Sequence, residues 1–276
     1  MQKINYITNK DLMREIHKSK VSYCTFTDPK YSDYDAIVEN RDQITPELIQ
    51  KTLEKKAKPR GKAALALVPE NLTEADLVFR VMTHEHIPLD PDRKRKARNT
   101  DVSYARTNFP PFKHYILDTE RNLVEVGRSH WKGDFATGEF ELEKGKMTRQ
   151  LAEMFMLLVE RYARRGNFRG YTYNDEMRSL ALLQLSQVGL YFNEAKGENP
   201  FAFYTTAIKN CFVRVLNVEK RAQSFRDDLL IQAGQTPSFT RQVESELEQR
   251  AAMDASRRSV PVPSLSGRVK KPKEQL

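Results

Sequence analysis

Between Asn199 and Arg221 the chain reads NPFAFYTTAIKNCFVRVLNVEKR. Asn199-Pro200 is a helix start, a capping side chain followed by proline in the first turn. On a wheel of about 100° per residue, Phe201, Thr205, Ile208, Phe212 and Leu216 share one side, the expected core face. Phe203, Thr206, Asn210, Arg214, Asn217 and Arg221 share the opposite side. Tyr204 falls on one flank, Lys209 and Lys220 on the other. The second face thus offers an aromatic ring, then hydrogen-bonding groups, then positive charge. Rings stack on unpaired bases for about 1–3 kcal/mol each. Asparagine pairs with an adenine edge, and arginine and lysine neutralise phosphates. The chemistry suits a nucleic-acid strand that is partly unpaired. A plainer account stays open: a helix buried between two neighbours, with basic residues at its end satisfying the helix dipole.

The remaining chemistry-bearing residues make weaker patterns. His84 and His86 in THEHIP stand on one face of an expected strand, a spacing that suits two metal ligands, but no third ligand lies near in sequence. The acids of DYDAIVE and LDPD have no spacing for acid–base work. Glycine-rich phosphate loops, HExxH helices and Ser-His-Asp order are all missing. The expectation is therefore no catalysis, no metal and no cofactor. RKRKAR, Arg93 to Arg98, reads as a solvated loop with nucleic-acid contact as its second use.

These residues must be positioned by a chain of 276 residues, with 39% hydrophobic and 30% charged residues and a net charge of +9. That excess favours polyanionic partners without deciding the fold. Cys24 and Cys211 form neither a metal pattern nor a disulfide framework, which points to a reducing compartment. Neither a signal peptide nor a membrane span is expected. Residues 1–23 hold a short helix, capped by Asn9, with Leu12, Ile16 and Val21 following. Residues 24–145 form a mixed α/β insertion. It has a helix from Thr45-Pro46, a strand over ADLVFRVMTHEHIP, and a hairpin turning at Asp118–Asn122. Residues 146–228 carry three helices, from about Thr148 to Arg165, Asn174 to Phe192, and Asn199 to Arg221. Asn174 is the expected cap of the second, whose core face is Met177, Ala181, Leu185, Val188 and Phe192. Residues 229–255 form a helical extension in which GQTPS interrupts a short helix. Residues 256–276, rich in Pro, Ser and Lys, read as a disordered basic tail. The fold class is thus mainly α, with a smaller mixed α/β segment towards the N-terminus.

The run GYTYNDEMRSLALLQLSQVGLYFNEAKGENPFAFYTTAIKNCFVRVLNVEKR resembles region 2 of the bacterial sigma-70 superfamily. An acidic-start helix ends in a Phe-Asn step, Phe192-Asn193, and a Phe-x-x-Tyr helix follows a short polar loop. Within that superfamily the chain looks most like the late-promoter sigma factors of T-even-like bacteriophages, in their cyanophage form. INYITNKDLMREI, NFPPFKHYILD, VEVGRSHWKGDFATGEF and RDDLLIQAGQTPSFTRQ carry the likeness outside the helices. The resemblance implies a sigma region 2-like helical bundle that binds the clamp coiled-coil of host core RNA polymerase and holds the −10 element of late-promoter DNA. By position, Glu176, Arg178, Leu183, Gln184 and Gln187 would face polymerase. Phe201, Phe203, Tyr204, Thr205, Thr206, Lys209, Asn210, Arg214 and Arg221 would serve DNA. It further implies the cytoplasm of an infected host cell, with a phage sliding clamp or co-activator as an additional partner.

The departures are specific. Ala207 and Ile208 stand where primary sigma factors have paired tryptophans, and Leu180 where they have an acid in the clamp-binding helix. A second, −35-reading helix-turn-helix is missing, as is an acidic-hydrophobic clamp-gripping tail. Two other function classes stay open on the residues alone. One is an enzyme acting on nucleic acid with a β-rich catalytic segment. The other is an RNA- or DNA-binding protein independent of polymerase.

Overall fold

The computed structural model describes residues 6–57, 72–90 and 103–259, the last four by their backbone alone. The chain divides into two compact units, Met1–Val213 and Arg214–Leu276. Among the described residues the elements run α1 (Asn9–Val21), β1 (Cys24–Phe26), β2 (Ala36–Val38), α2 (Pro46–Ala57), β3 (Phe79–Met82), β4 (Phe112–Leu117), β5 (Leu123–Ser129), β6 (Trp131–Lys132), β7 (Glu139–Phe140), α3 (Arg149–Ala163), α4 (Asn174–Val188), α5 (Pro200–Gln232) and α6 (Phe239–Ser259). The chain is mainly helical with a small mixed sheet. The basic loop Arg93–Arg98 and the tail beyond 259 lie outside the described residues.

Five strands form one sheet in the order β1-β5-β4-β3-β2, antiparallel except for β2 beside β3. The hairpin β4–β5 turns through Asp118–Asn122 as expected, with Asp118 N–H donating to Asn122 O and Arg121 taking a positive φ of 61°. The expected strand around THEHIP is shorter: β3 stops at Met82, and His84 to Ile87 form a turn closed by Ile87 N–H to His84 O. His84 and His86 therefore do not share a strand face. Alternation along β3 separates two environments. Phe79 packs with Ile49, Leu77 and Leu117, and Val81 packs with Val38 and Tyr115 next to Leu48, so α2 covers that side. Arg80 points the other way, to His114 of β4 and His17 of α1.

Helix α1 packs with the helices that follow the sheet rather than standing apart. Thr8 caps it, not Asn9, by accepting from Asp11 N–H. Glu15 and Ser19 grip Thr148, the cap of α3: Thr148 N–H donates to Ser19 Oγ at 3.0 Å and its hydroxyl donates to Glu15 at 3.1 Å. Leu12 and Ile16 of α1 are fully buried, as are Leu151 and Met154 of α3. Helix α4 ends at Val188, short of the expected Phe192. Gly189 follows its end and makes a close approach: a Cβ there would lie 2.6 Å from a Phe155 ring carbon. Asn174 is not the cap of α4 either. Its amide donates to Ala163 O and Phe168 O, tying the α3–α4 turn.

In the second unit, helix α5 continues to Gln232, beyond the expected end at Arg221 and across the expected boundary at 228. Gly234, at φ 70°, stops it. Asp227 accepts from both the N–H and the hydroxyl of Ser238, which fixes the turn into α6. Helix α6 also takes in the first residues of the segment expected to be disordered.

Candidate nucleic-acid interface

The start of α5 is built from three directions. Its first N–H groups would be unpaired in isolation. Ala202 N–H donates to Asn199 Oδ1 at 3.0 Å, and Phe201 N–H donates to Asn9 Oδ1 at 3.1 Å. Asn9, expected as the cap of its own helix, thus helps cap α5. The Tyr204 hydroxyl donates to Gly189 O at 2.5 Å, and its ring meets Phe155 edge-on at 4.7 Å. This overturns the expectation that Tyr204 touches DNA: the residue is 0% exposed. The buried stripe is Tyr204, Ile208, Cys211 and Phe212, a face rotated from the wheel centred on Phe201. The rotation follows from the bulk of Tyr204 and its hydrogen bond, neither of which a hydropathy wheel weighs.

The rotation opens Phe201, which is 39% exposed, while Phe203 is 37% exposed. Phe203 is held edge-on between Phe192 at 5.7 Å and Tyr204 at 5.3 Å. Two rings therefore reach solvent within the first turn. Thr206, Lys209 and Asn210 are exposed beyond them, and Thr205 is half-buried. The hydroxyls of Thr205 and Thr206 donate back to Phe201 O and Ala202 O, so towards a ligand they serve as acceptors. Arg214 and Arg221, the other two expected DNA residues, belong to the second unit and are exposed there.

On α4, Met177, Ala181 and Leu185 are buried, whereas Val188 is half-buried. Of the residues expected to face polymerase, Glu176, Leu183 and Gln187 are exposed, and Arg178 and Gln184 are half-buried. Arg178 pairs with Asp175 at 3.0 Å. Leu190, just past the end of α4, is buried.

Behind the α4–α5 connection lies a charge cluster that sequence reasoning missed. Lys20 donates to Glu194 at 2.6 Å and to Phe192 O at 2.7 Å. Arg80 Nη1 stands 3.9 Å from the other oxygen of Glu194, and its guanidinium lies between the rings of Tyr34 and Phe112 at 4.0 and 3.9 Å. Lys20 and Arg80 are fully buried and Glu194 nearly so. Burial pushes the Glu194 carboxyl up, but Lys20 and Arg80 outweigh it and leave it below the usual carboxylate range. Burial likewise weakens the Lys20 ammonium, and Glu194 restores it only in part. His114 donates from Nδ1 to Tyr31 O and accepts from Arg80 at Nε2, a neutral tautomer. Burial and then the Arg80 charge depress its pKa well below 6.5. The cluster ties α1 and the sheet to the loop that carries Phe192 and leads into α5.

Among the described residues, no three His, Cys, Asp or Glu side chains gather as metal ligands, and no helix is long and apolar enough to cross a membrane. Comparison with protein-family models, curated proteins and solved structures finds no match.

Proposed function

We propose that the chain is a sigma-type transcription initiation factor. The start of α5 holds unpaired bases of a −10 element, and α4 docks on the clamp coiled-coil of a bacterial core RNA polymerase. The observation that carries this is the pair of exposed rings, Phe201 and Phe203, the second held edge-on between Phe192 and the buried Tyr204, followed by Thr206, Lys209 and Asn210. A ring held as Phe203 is loses little freedom when a base stacks on it. The mixed exposure on α4, with Leu183 beside Gln187 and Glu176, suits a protein partner surface. Arg214 and Arg221 are proposed as sequence-independent phosphate contacts. The resemblance to late-promoter sigma factors supplies the promoter class.

Run-off transcription tests the proposal, using bacterial core polymerase with and without this protein on a template carrying a TATA-rich late promoter. A promoter-dependent transcript only with both components is the expected result. Its absence, or cleavage of the template by the protein with Mg²⁺ alone, overturns the proposal.

A further inference from the structure

The turn between α3 and α4 carries a second charged surface. Over RYARRGNFRGYTYN, Arg161 to Asn174, the chain has four arginines and no acid. Arg161, Arg164, Arg165 and Arg169 are all exposed. A helix dipole accounts for cations in the last turn of α3, but Arg169 stands beyond the helix. The turn is held firmly. Phe168 is buried against Tyr162 and Phe212, at 5.5 and 5.1 Å between ring centres. Arg169 N–H donates to Arg165 O, and Asn174 bridges Ala163 O and Phe168 O. A shallow pocket of about 160 Å³ opens there, lined by Glu160, Ala163, Arg164, Arg169, Asn174 and Arg178. Two of its cations are balanced, Arg164 by Glu160 and Arg178 by Asp175. Neither Arg165 nor Arg169 forms an ion pair among the described residues; Arg165 lies over the Tyr162 ring at 4.2 Å. Tyr171, exposed, stacks on Tyr173 at 5.0 Å beside this pocket's Asn174.

We infer that this turn binds the phosphodiester backbone of duplex DNA, separately from the strand-holding start of α5. Arginine forks match phosphate oxygens in pairs, and a rigid turn presents them without a backbone ordering cost. A protein partner would need a desolvated apolar anchor. Here the apolar side chains, Tyr162 and Phe168, are turned inward, and what remains outside is charge and a tyrosine stack. Such a surface reads no sequence. It fixes orientation, and it needs no polymerase.

The test is fluorescence anisotropy of a labelled mixed-sequence duplex with the full chain across a salt series. The Arg165→Ala/Arg169→Ala variant should bind more weakly, and its log K against log salt slope should be shallower by about 1.8, about 0.9 for each phosphate no longer neutralised. Arg169→Lys, which keeps the charge, should retain the wild-type slope and unfolding midpoint, and the double variant should stay folded with a midpoint lowered by no more than a few degrees, for the lost Arg165 contact with the Tyr162 ring. An unchanged slope in the double variant overturns the inference. So does an equal loss of binding to polyglutamate and to duplex, which would mark a general acidic-protein surface. Because no polymerase is present, failure here leaves the run-off experiment, and the proposal it tests, unaffected.

Discussion

Glu194→Gln removes a carboxylate that two fully buried cations share. Lys20 is 2.6 Å from one of its oxygens and Arg80 3.9 Å from the other. Removing one member of a buried pair typically costs about 3–5 kcal/mol, because the remaining charge stays out of water. Glutamine keeps an acceptor for Lys20, which favours the low end. About 3 kcal/mol in a unit of this size lowers the unfolding midpoint by about 6–12 °C. Lys20→Met should cost less, because it leaves Arg80 and Glu194 as one cation facing one anion. The pH dependence has a definite sign. The Glu194 carboxyl is held below its ordinary 4.5 in the folded chain. Its contribution is therefore complete above that value and lost as pH falls through the folded pKa. The gap between wild type and Glu194→Gln should narrow in acid. The cluster also steadies Phe192, against which the Phe203 ring packs. Differential scanning fluorimetry from pH 7 down to pH 3 checks all of this. An unchanged midpoint for Glu194→Gln at pH 7, or a larger loss for Lys20→Met, would refute the charge-balance reasoning.

Phe203→Ala should weaken the open complex by about 1–3 kcal/mol, read as reduced permanganate reactivity of promoter thymines, with polymerase binding retained. Tyr204→Phe should instead lower stability by about 1 kcal/mol through removal of the bond to Gly189 O, with thymine reactivity unchanged once the protein is folded. Asn210→Ala should blunt discrimination at one base pair by about 1–3 kcal/mol, while Lys209→Ala weakens matched and mismatched promoters alike, both measured by competition binding with polymerase present. Gln187→Arg combined with Glu176→Lys should abolish co-purification with core polymerase while circular dichroism stays that of the wild type. Retained co-purification would move the polymerase-binding surface off α4.

Local rules were enough for much of the helical architecture. The start of α3 near Thr148, the proline start of α5 and the polar turn of the β4–β5 hairpin all depend on neighbours within a few positions, so the sequence carries them directly. The residues exposed beyond the first turn of α5, Thr206, Lys209 and Asn210, were legible for the same reason: charge and hydrogen-bonding groups on one side of a wheel stay outside. What a wheel cannot weigh is which of three neighbouring aromatics goes inside. That was decided by Gly189, whose missing Cβ lets Phe155 approach and whose carbonyl receives the Tyr204 hydroxyl. Asn9 caps a helix that begins 191 positions later in the chain, counting from Asn9 to Pro200, and Lys20 meets Glu194 across a sequence separation of 174. Neither pairing leaves a periodic trace, because each depends on where the sheet places α1 against the α4–α5 loop. The sequence by itself set which segments are helices and what chemistry α5 carries. Only tertiary packing chose the face it shows, since burial is a property of neighbours that the chain brings together from a distance.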